Sequence, residues 1–304
     1  MTIMRINEYL SKEDVARFTG KSDLRAWALF LANWLSIIVT FAVVGLYPNV
    51  FTVLVAWLLL AGRQLGLSVL MHDAGHRTLF KTPWLNDVIG QWFCGLPVFS
   101  DMPSYARGHL QHHRKAGTHD DPDLPNYAAY PVSRESFKRK VVRDLSGQTG
   151  MKLLIYIAKG ASGIISHEQR DSAKPFLQML SVQLVMLIAL AAFGIAWVYL
   201  IWLGAFLTTF MLVIRVRQVA EHAAVPDLYD TDPRMNTRTV EAPWWQRWLF
   251  APNGVNFHME HHFMASVPCY RLSALHEHLR KKGALVGVPV FKGYGELLRH
   301  AVPA

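Results

Sequence analysis

Two long stretches without Asp, Glu, Lys or Arg organise this chain: residues 26–62 and residues 175–214. A membrane-spanning helix needs roughly 20 apolar residues, so each stretch holds about two crossings. A turn over Tyr47, Pro48 and Asn49 splits the first into helices at 26–46 and 50–71. Gly194 splits the second into helices at 176–193 and 195–214. Upstream, Ser11 followed by Glu13 and Asp14 reads as a helix N-cap with acids in the first turn. This opens a short polar helix that ends near Gly20. Residues 88–99 are too short to span and too apolar for a free loop, so they are expected to lie along the interface or pack as a lid. Residues 243–250, with three tryptophans, have the aromatic content of an interfacial anchor. With no internal repeat, the simplest reading is one domain over 1–304. The fold class expected is an all-α integral membrane protein: four transmembrane helices with a cytoplasmic helical cap.

Composition sharpens the picture. Charged residues are 17% of the chain, against about 25% in ordinary soluble domains. The net charge of +9 would suggest nucleic acid, but its placement argues against that partner. Five basic residues precede the first apolar stretch, fourteen lie between His72 and Lys174 and eleven follow the second stretch, Arg63 being the one left over, while the two turns carry none. That is the positive-inside bias. The N-terminus, the central segment and the C-terminus are therefore expected on the cytoplasmic side, with basicity serving topology and anionic lipid. Arg63, alone within a spanning helix, is expected to snorkel to that surface. No apolar h-region precedes a cleavage site in the first 25 residues, so insertion is expected to rely on the first spanning helix. Cys94 and Cys269 are too few for a zinc knuckle and are read as small apolar residues.

Candidate chemistry lies in the histidines. His72 and His76 form HxxxH; His109, His112 and His113 form HxxHH; His258, His261 and His262 repeat HxxHH. Chance gives roughly 0.03 HxxHH matches in a chain of this length and histidine content, so two are a signal. Residues i and i+4 share a helix face, which lets His72 and His76 point into one space. Within HxxHH the i and i+3 rings are expected to share a face, while the adjacent pair diverges by about 100°. Eight imidazoles exceed the four ligands of a zinc site, and diverging pairs suit two metals. His222 sits beyond its spanning helix much as His72 does and is a ninth candidate ligand. Asp73, Asp121, Asp123 and Glu221 are candidate carboxylate partners of the ligands. Asn256 is a candidate to hold metal-bound water or to cap a helix. His119, His167, His276, His278 and His300 lack a partnering pattern and are read as structural. HExxH, the metalloprotease signature, is absent. The predicted spans contain no histidine for a bis-histidine haem carrier, and the apolar stretches lack the charges of a metal transporter.

Three such boxes, split by a pair of spanning helices, resemble the membrane-bound fatty acid desaturase superfamily. The resemblance covers roughly residues 66–279 and includes Arg77 after box one, Asn86-Asp87, Arg114 with Asp121 and Asp123 after box two, and Asn256 before box three. It implies a non-haem di-iron centre held by the eight box histidines, with His222 as the family's additional histidine. It also implies dioxygen as oxidant and two electrons from a separate ferredoxin or cytochrome-type donor with its reductase. The His-Pro-Gly-Gly motif of a fused haem domain is absent, and box three begins with His258 where front-end desaturases have Gln. The function expected is oxygen-dependent desaturation of a lipid acyl chain. A hydroxylase or ketolase acting on a carotenoid or other lipid, and a desaturase of a small amino-acid-derived substrate of the rhizobitoxine type, are the alternatives the superfamily offers.

Overall fold

A computed structural model describes residues 4–161 and 173–303. Among them there is no β-sheet, only isolated bridges pairing Thr239 with Phe257 and Val240 with Phe291. Two short helices, α1 (Ile6–Tyr9) and α2 (Lys12–Thr19), precede the long α3 (Asp23–Leu46) and α4 (Val50–Gly75). Then come α5 (Pro83–Val88), α6 (Met102–Lys115), α7 (Arg134–Leu145) and α8 (Gln148–Ala161). After these follow α9 (Ala173–Ala192), α10 (Val198–Leu207), α11 (Thr209–His222), α12 (Pro233–Asn236) and α13 (Trp244–Phe250). The chain closes with α14 (His258–Phe263), α15 (Cys269–Lys281) and α16 (Tyr294–Ala301). His167 lies outside the described residues.

Local chemistry sets the helix ends. Ser11 and Asp14 bond each other's backbone in a reciprocal cap on α2, and Asn49 with Thr52 does the same for α4. Gly194 takes a left-handed conformation at the turn between spans, with φ of 73°. Among the described residues, four helices are long and apolar enough to cross a membrane: Asp23–Leu46, Val50–Gly75, Ala173–Ala192 and Val198–His222, the last bent at Thr208 between α10 and α11. Leu31, Leu35, Ile38, Phe51 and Leu54 are exposed along the first two, as lipid-facing side chains must be. The most apolar stretch of α4 is 61% buried and that of α9 only 17%. Thus α4 is the central post and α9 an outer one.

Two spans run past the bounds that hydropathy sets. The helix expected to end at residue 71 continues to Gly75, and the one expected to end at 214 continues to His222. Hydropathy marks only the apolar part of a helix. The polar extensions stay helical because they pack against α6 and α16. The extensions carry His72 and His222, so spanning helices do bear histidines, at their ends.

Arg63 does not snorkel to water. It is buried at 4% exposure, donates to Asn33 Oδ1 at 3.1 Å and to the Trp248 carbonyl, and lies 4.0 Å from the Trp248 ring. Helix α13 supplies a carbonyl and a π face that replace water around this cation. Residues 88–99 form a π-helical stretch (Ile89–Gly95) and a 3₁₀ turn (Leu96–Val98) packed on α4. Cys94 is fully buried there, and Cys269 at the start of α15 is also buried; neither is disulfide-bonded.

Candidate metal centre

The histidines arrive on four helix ends. α4 delivers His72 at its last turn and His76 as its C-cap, and α11 ends on His222. α6, capped by Asp101 through the Ser104 N–H, carries His109, His112 and His113. The six-residue α14 carries His258, His261 and His262.

These nine side chains meet as two groups. His72, His76, His109, His113 and His261 place one ring nitrogen each within 4.8 Å of one another, and so do His112, His222, His258 and His262. The groups adjoin: the rings of His113 and His262 stack at 4.3 Å. The adjacent pairs are divided, with His112 and His113 in different groups and His261 and His262 likewise. The shared face, however, differs from the one expected. His109 groups with His113 and His258 with His262, which are i,i+4 pairs, whereas the i,i+3 pairs are split. At 3.6 residues per turn, i+4 is offset by about 40° and i+3 by about 60°. That difference decides the partition.

Outer partners fix several rings. His72 Nδ1 lies 3.0 Å from Asp73 Oδ1, and Asp73 Oδ2 accepts the Cys269 N–H at 2.7 Å, tying α4 to α15. His112 Nδ1 lies 2.8 Å from Asp121, whose other oxygen accepts the Tyr127 hydroxyl. His222 Nδ1 donates to the Asn236 carbonyl at 3.0 Å. Each leaves Nε2 facing its cluster, the arrangement that presents a lone pair to a metal. Glu221 is 3.5 Å from His258 Nδ1 and accepts Arg217 Nε at 2.5 Å. Asp123, about half exposed, is 3.9 Å from His112. Asn256 donates through Nδ2 to the Val240 carbonyl, while its buried Oδ1 has no hydrogen-bond partner, and the N-cap of α14 is Phe257. It ties the chain segments before α14 together.

Sequence reasoning passed over several contributors. His276 is buried, and its Nδ1 lies 2.6 Å from Glu260, which also accepts the Thr239 hydroxyl; this pins α14 to α15. Tyr105 stacks on His109 and Tyr127 on His222. Tyr105 precedes His109 by four residues on α6, a helical spacing that could have flagged it. Tyr127 and Asn236 have no such local signal. His119 stacks on Tyr229, His278 lies 3.5 Å from Asp14, and His300 bonds the Ala224 carbonyl. None of these joins a cluster.

The donors suit metal ions. His72 Nε2 lies 2.8 Å from His109 Nε2, His113 Nε2 is 3.0 Å from His109 Nε2, and His258 Nε2 is 2.9 Å from His222 Nε2. Cis ligands about 2.1 Å from one ion stand about 3 Å apart. The buried Nε2 atoms of His76 and His262 have no hydrogen-bond partner. Burial first, then the other histidines, holds His109, His258, His261 and His262 well below the ordinary imidazole pKa, and lowers His76 to about 3 and His113 to about 2. Neutral rings at physiological pH are the state in which imidazole binds metal.

A cavity of about 410 Å³ reaches this centre. Its inner wall includes His109, His112, His222 and His258 with Arg217 and Glu221; Leu65, Leu153, Phe206, Phe210 and Ile214 line the rest together with residues of 98–127. Residues 48–294, most of the chain and all nine clustered histidines, match the sequence model of fatty acid desaturases. The chain belongs to the fatty acid desaturase family. It is an oxidoreductase of desaturase type, and its four apolar helices make it a membrane protein. This desaturase is 26% identical over 257 residues to dihydrorhizobitoxine desaturase of Bradyrhizobium elkanii, spanning 81% of this chain and 72% of that one. It is 23% identical over 273 residues to the sn-1 oleoyl-lipid 12-desaturase of a Picosynechococcus species, spanning 83% and 75%. A shorter match, 29% over 100 residues and 33% of the desaturase, is to an sn-1 acyl-lipid omega-3 desaturase (ferredoxin) of a Nostoc species.

Proposed function

We propose that this desaturase removes two hydrogens from adjacent carbons of an alkyl-bearing substrate at a pair of iron ions, one in each histidine cluster. The observation that carries the reading is the division of nine inward ring nitrogens into neighbouring groups of five and four. When bound, the two irons supply the oxidising power: with dioxygen, two electrons and two protons, a CH₂–CH₂ unit becomes a double bond and two waters leave.

The protein's part is to hold and to exclude. Asp73, Asp121 and the Asn236 carbonyl fix ring orientation through Nδ1, and burial keeps His76, His109, His113, His258, His261 and His262 neutral. Leu65, Phe206 and Phe210 give the alkyl segment a dry wall next to the spans. Electrons come from a separate ferredoxin or cytochrome-type donor served by its reductase; one relative is named for ferredoxin. The positive-inside pattern supports termini and centre on the cytoplasmic side.

Relatives named for acyl lipids support a lipid acyl chain as substrate. A second reading, a small amino-acid-derived substrate, is favoured by one observation: an Arg217–Glu221 ion pair borders the cavity beside the clusters.

The test is iron analysis of the purified protein with product analysis by mass. Two irons per chain, loss of iron and turnover in His112→Ala, and a product lighter by two hydrogens are expected. Full turnover by iron-free protein overturns the metal assignment. A product heavier by one oxygen overturns desaturation in favour of hydroxylation or ketolation.

A further inference from the structure

The cavity carries a polarity gradient. At the clusters it is bordered by Arg217 and Glu221, one helical turn apart on α11 and bonded at 2.5 Å. Away from them it is bordered by Leu65, Phe206, Phe210 and Ile214, side chains of the spanning helices. Leu153 of α8, itself exposed, completes that apolar end.

An acyl chain desaturated in its middle places methylenes on both sides of the reacting carbons. Methylenes packed against an ion pair strip its water and return no hydrogen bond, a costly arrangement. The gradient suits the opposite orientation, with a polar group beside the histidines and the alkyl part pointing back towards the spans. Arg217 places Nε on Glu221 and also meets the Tyr105 hydroxyl, and its guanidinium, with five N–H donors in all, keeps further donors in a fork that matches a carboxylate.

Resting on the desaturase reading above, we propose that the substrate is a short amphiphile bound head-first. Its carboxylate sits on the Arg217 fork, its alkyl tail lies along Leu65 and Phe206, and desaturation falls within a few bonds of the head. Glu221 and Asp123 on the same wall provide the counter-charge for an ammonium group where the head is zwitterionic.

A bland alternative is that Arg217 only braces Glu221, which approaches His258. Ligands that differ only in head group separate the two. Binding of octanoate, its α-amino derivative and octanol to the purified full-length protein is measured by calorimetry for wild type, Arg217→Lys and Arg217→Met, with iron content measured for each. The acids are expected to bind wild type about tenfold more tightly than the alcohol, as charge-assisted paired bonds give. The Lys variant, which keeps the charge and loses the fork, retains part of this preference, and the Met variant loses it. Tighter binding of the α-amino acid identifies a zwitterionic head; equal binding of both acids identifies the carboxylate alone. Equal binding of acid and alcohol to wild type overturns the proposal. So does a preference that survives in both variants, and iron loss with the preference intact assigns the bracing role instead. Failure of the desaturase reading would show separately, as an acid preference in a protein without iron.

Discussion

His112 and Asp121, nine residues apart, meet at 2.8 Å between Nδ1 and Oδ1, and both are buried. The second oxygen of Asp121 accepts the Tyr127 hydroxyl, while Tyr127 stacks at 4.8 Å on His222 of the same cluster. One carboxylate and one phenol thus brace two rings on different helices. Both hydrogen bonds keep Asp121 ionised against its burial, holding its pKa below the usual carboxylate value.

Asp121→Asn removes that charge and the preference for Nδ1–H on His112. Partners of this kind change metal affinity by roughly 10–100-fold. Iron titration of the purified variant is expected to show a loss in that range, borne by the four-histidine cluster. Tyr127→Phe, which leaves the carboxylate in place, loses less. Unchanged affinity in Asp121→Asn would mean the ring is held by packing alone.

The metal-free protein is expected to lose stability as pH falls. His76 and His113 titrate at about 3 and about 2 when folded, and near 6.5 when unfolded. Below pH 6.5 the unfolded chain binds protons the folded one refuses, so each such histidine withdraws about 1.4 kcal/mol per pH unit. Unfolding midpoints at pH 8, 7, 6 and 5 should be flat above neutrality and fall steeply below it. His76→Asn should reduce that slope, and bound metal should shift it to lower pH.

The sequence made the eight box histidines and the spans legible because both are local: spacing along a helix and runs of apolar residues. It also exposed His222, through its place beyond a span. The partition was misjudged because a 20° difference in helical offset decides which ring joins which cluster. The snorkelling expected of Arg63 is replaced by partners the sequence does not place beside it, Asn33 and Trp248, 30 residues before it and 185 after. Tyr127 and Asn236 give no signal for the same reason, whereas His276 is structural as read, holding α14 to α15 through Glu260. Each acts through a partner that only the folded chain brings near.

Gly66→Ala tests the packing around that buried cation. A Cβ on Gly66 would stand 2.0 Å from Asn33 Oδ1, the atom that accepts the Arg63 bond. Asn33 is itself buried and bonded to Asn253, so it cannot swing away freely. Overpacking of this sort costs roughly 1–3 kcal/mol. A drop in unfolding midpoint is expected, shared by Asn33→Ala, with sub-additive loss in the double variant because both disturb one network.

Glu260 and His276 supply the last prediction, and its pH dependence runs against that of the clusters. Glu260 is fully buried in α14 between two cluster histidines, with one oxygen on His276 Nδ1 at 2.6 Å and the other on the Thr239 hydroxyl. Burial lowers the His276 pKa, but the bond to Glu260 and the charges of Glu260 and Glu241 outweigh it, so the net shift is upward. A raised folded pKa means the pair's stabilisation is fully present below about pH 6.5 and is lost as pH rises through the folded value. Glu260→Gln should therefore cost more at pH 6 than at a pH above the folded His276 pKa, where the imidazole is neutral. The size expected at pH 6 is roughly 1–3 kcal/mol, the cost of leaving a buried polar partner unsatisfied. His276→Asn should cost a similar amount, and the double variant less than the sum, since the two changes remove one interaction. Additive losses, or a cost independent of pH, would show that α14 is held to α15 by Phe257, Met259 and Leu272 packing rather than by this pair.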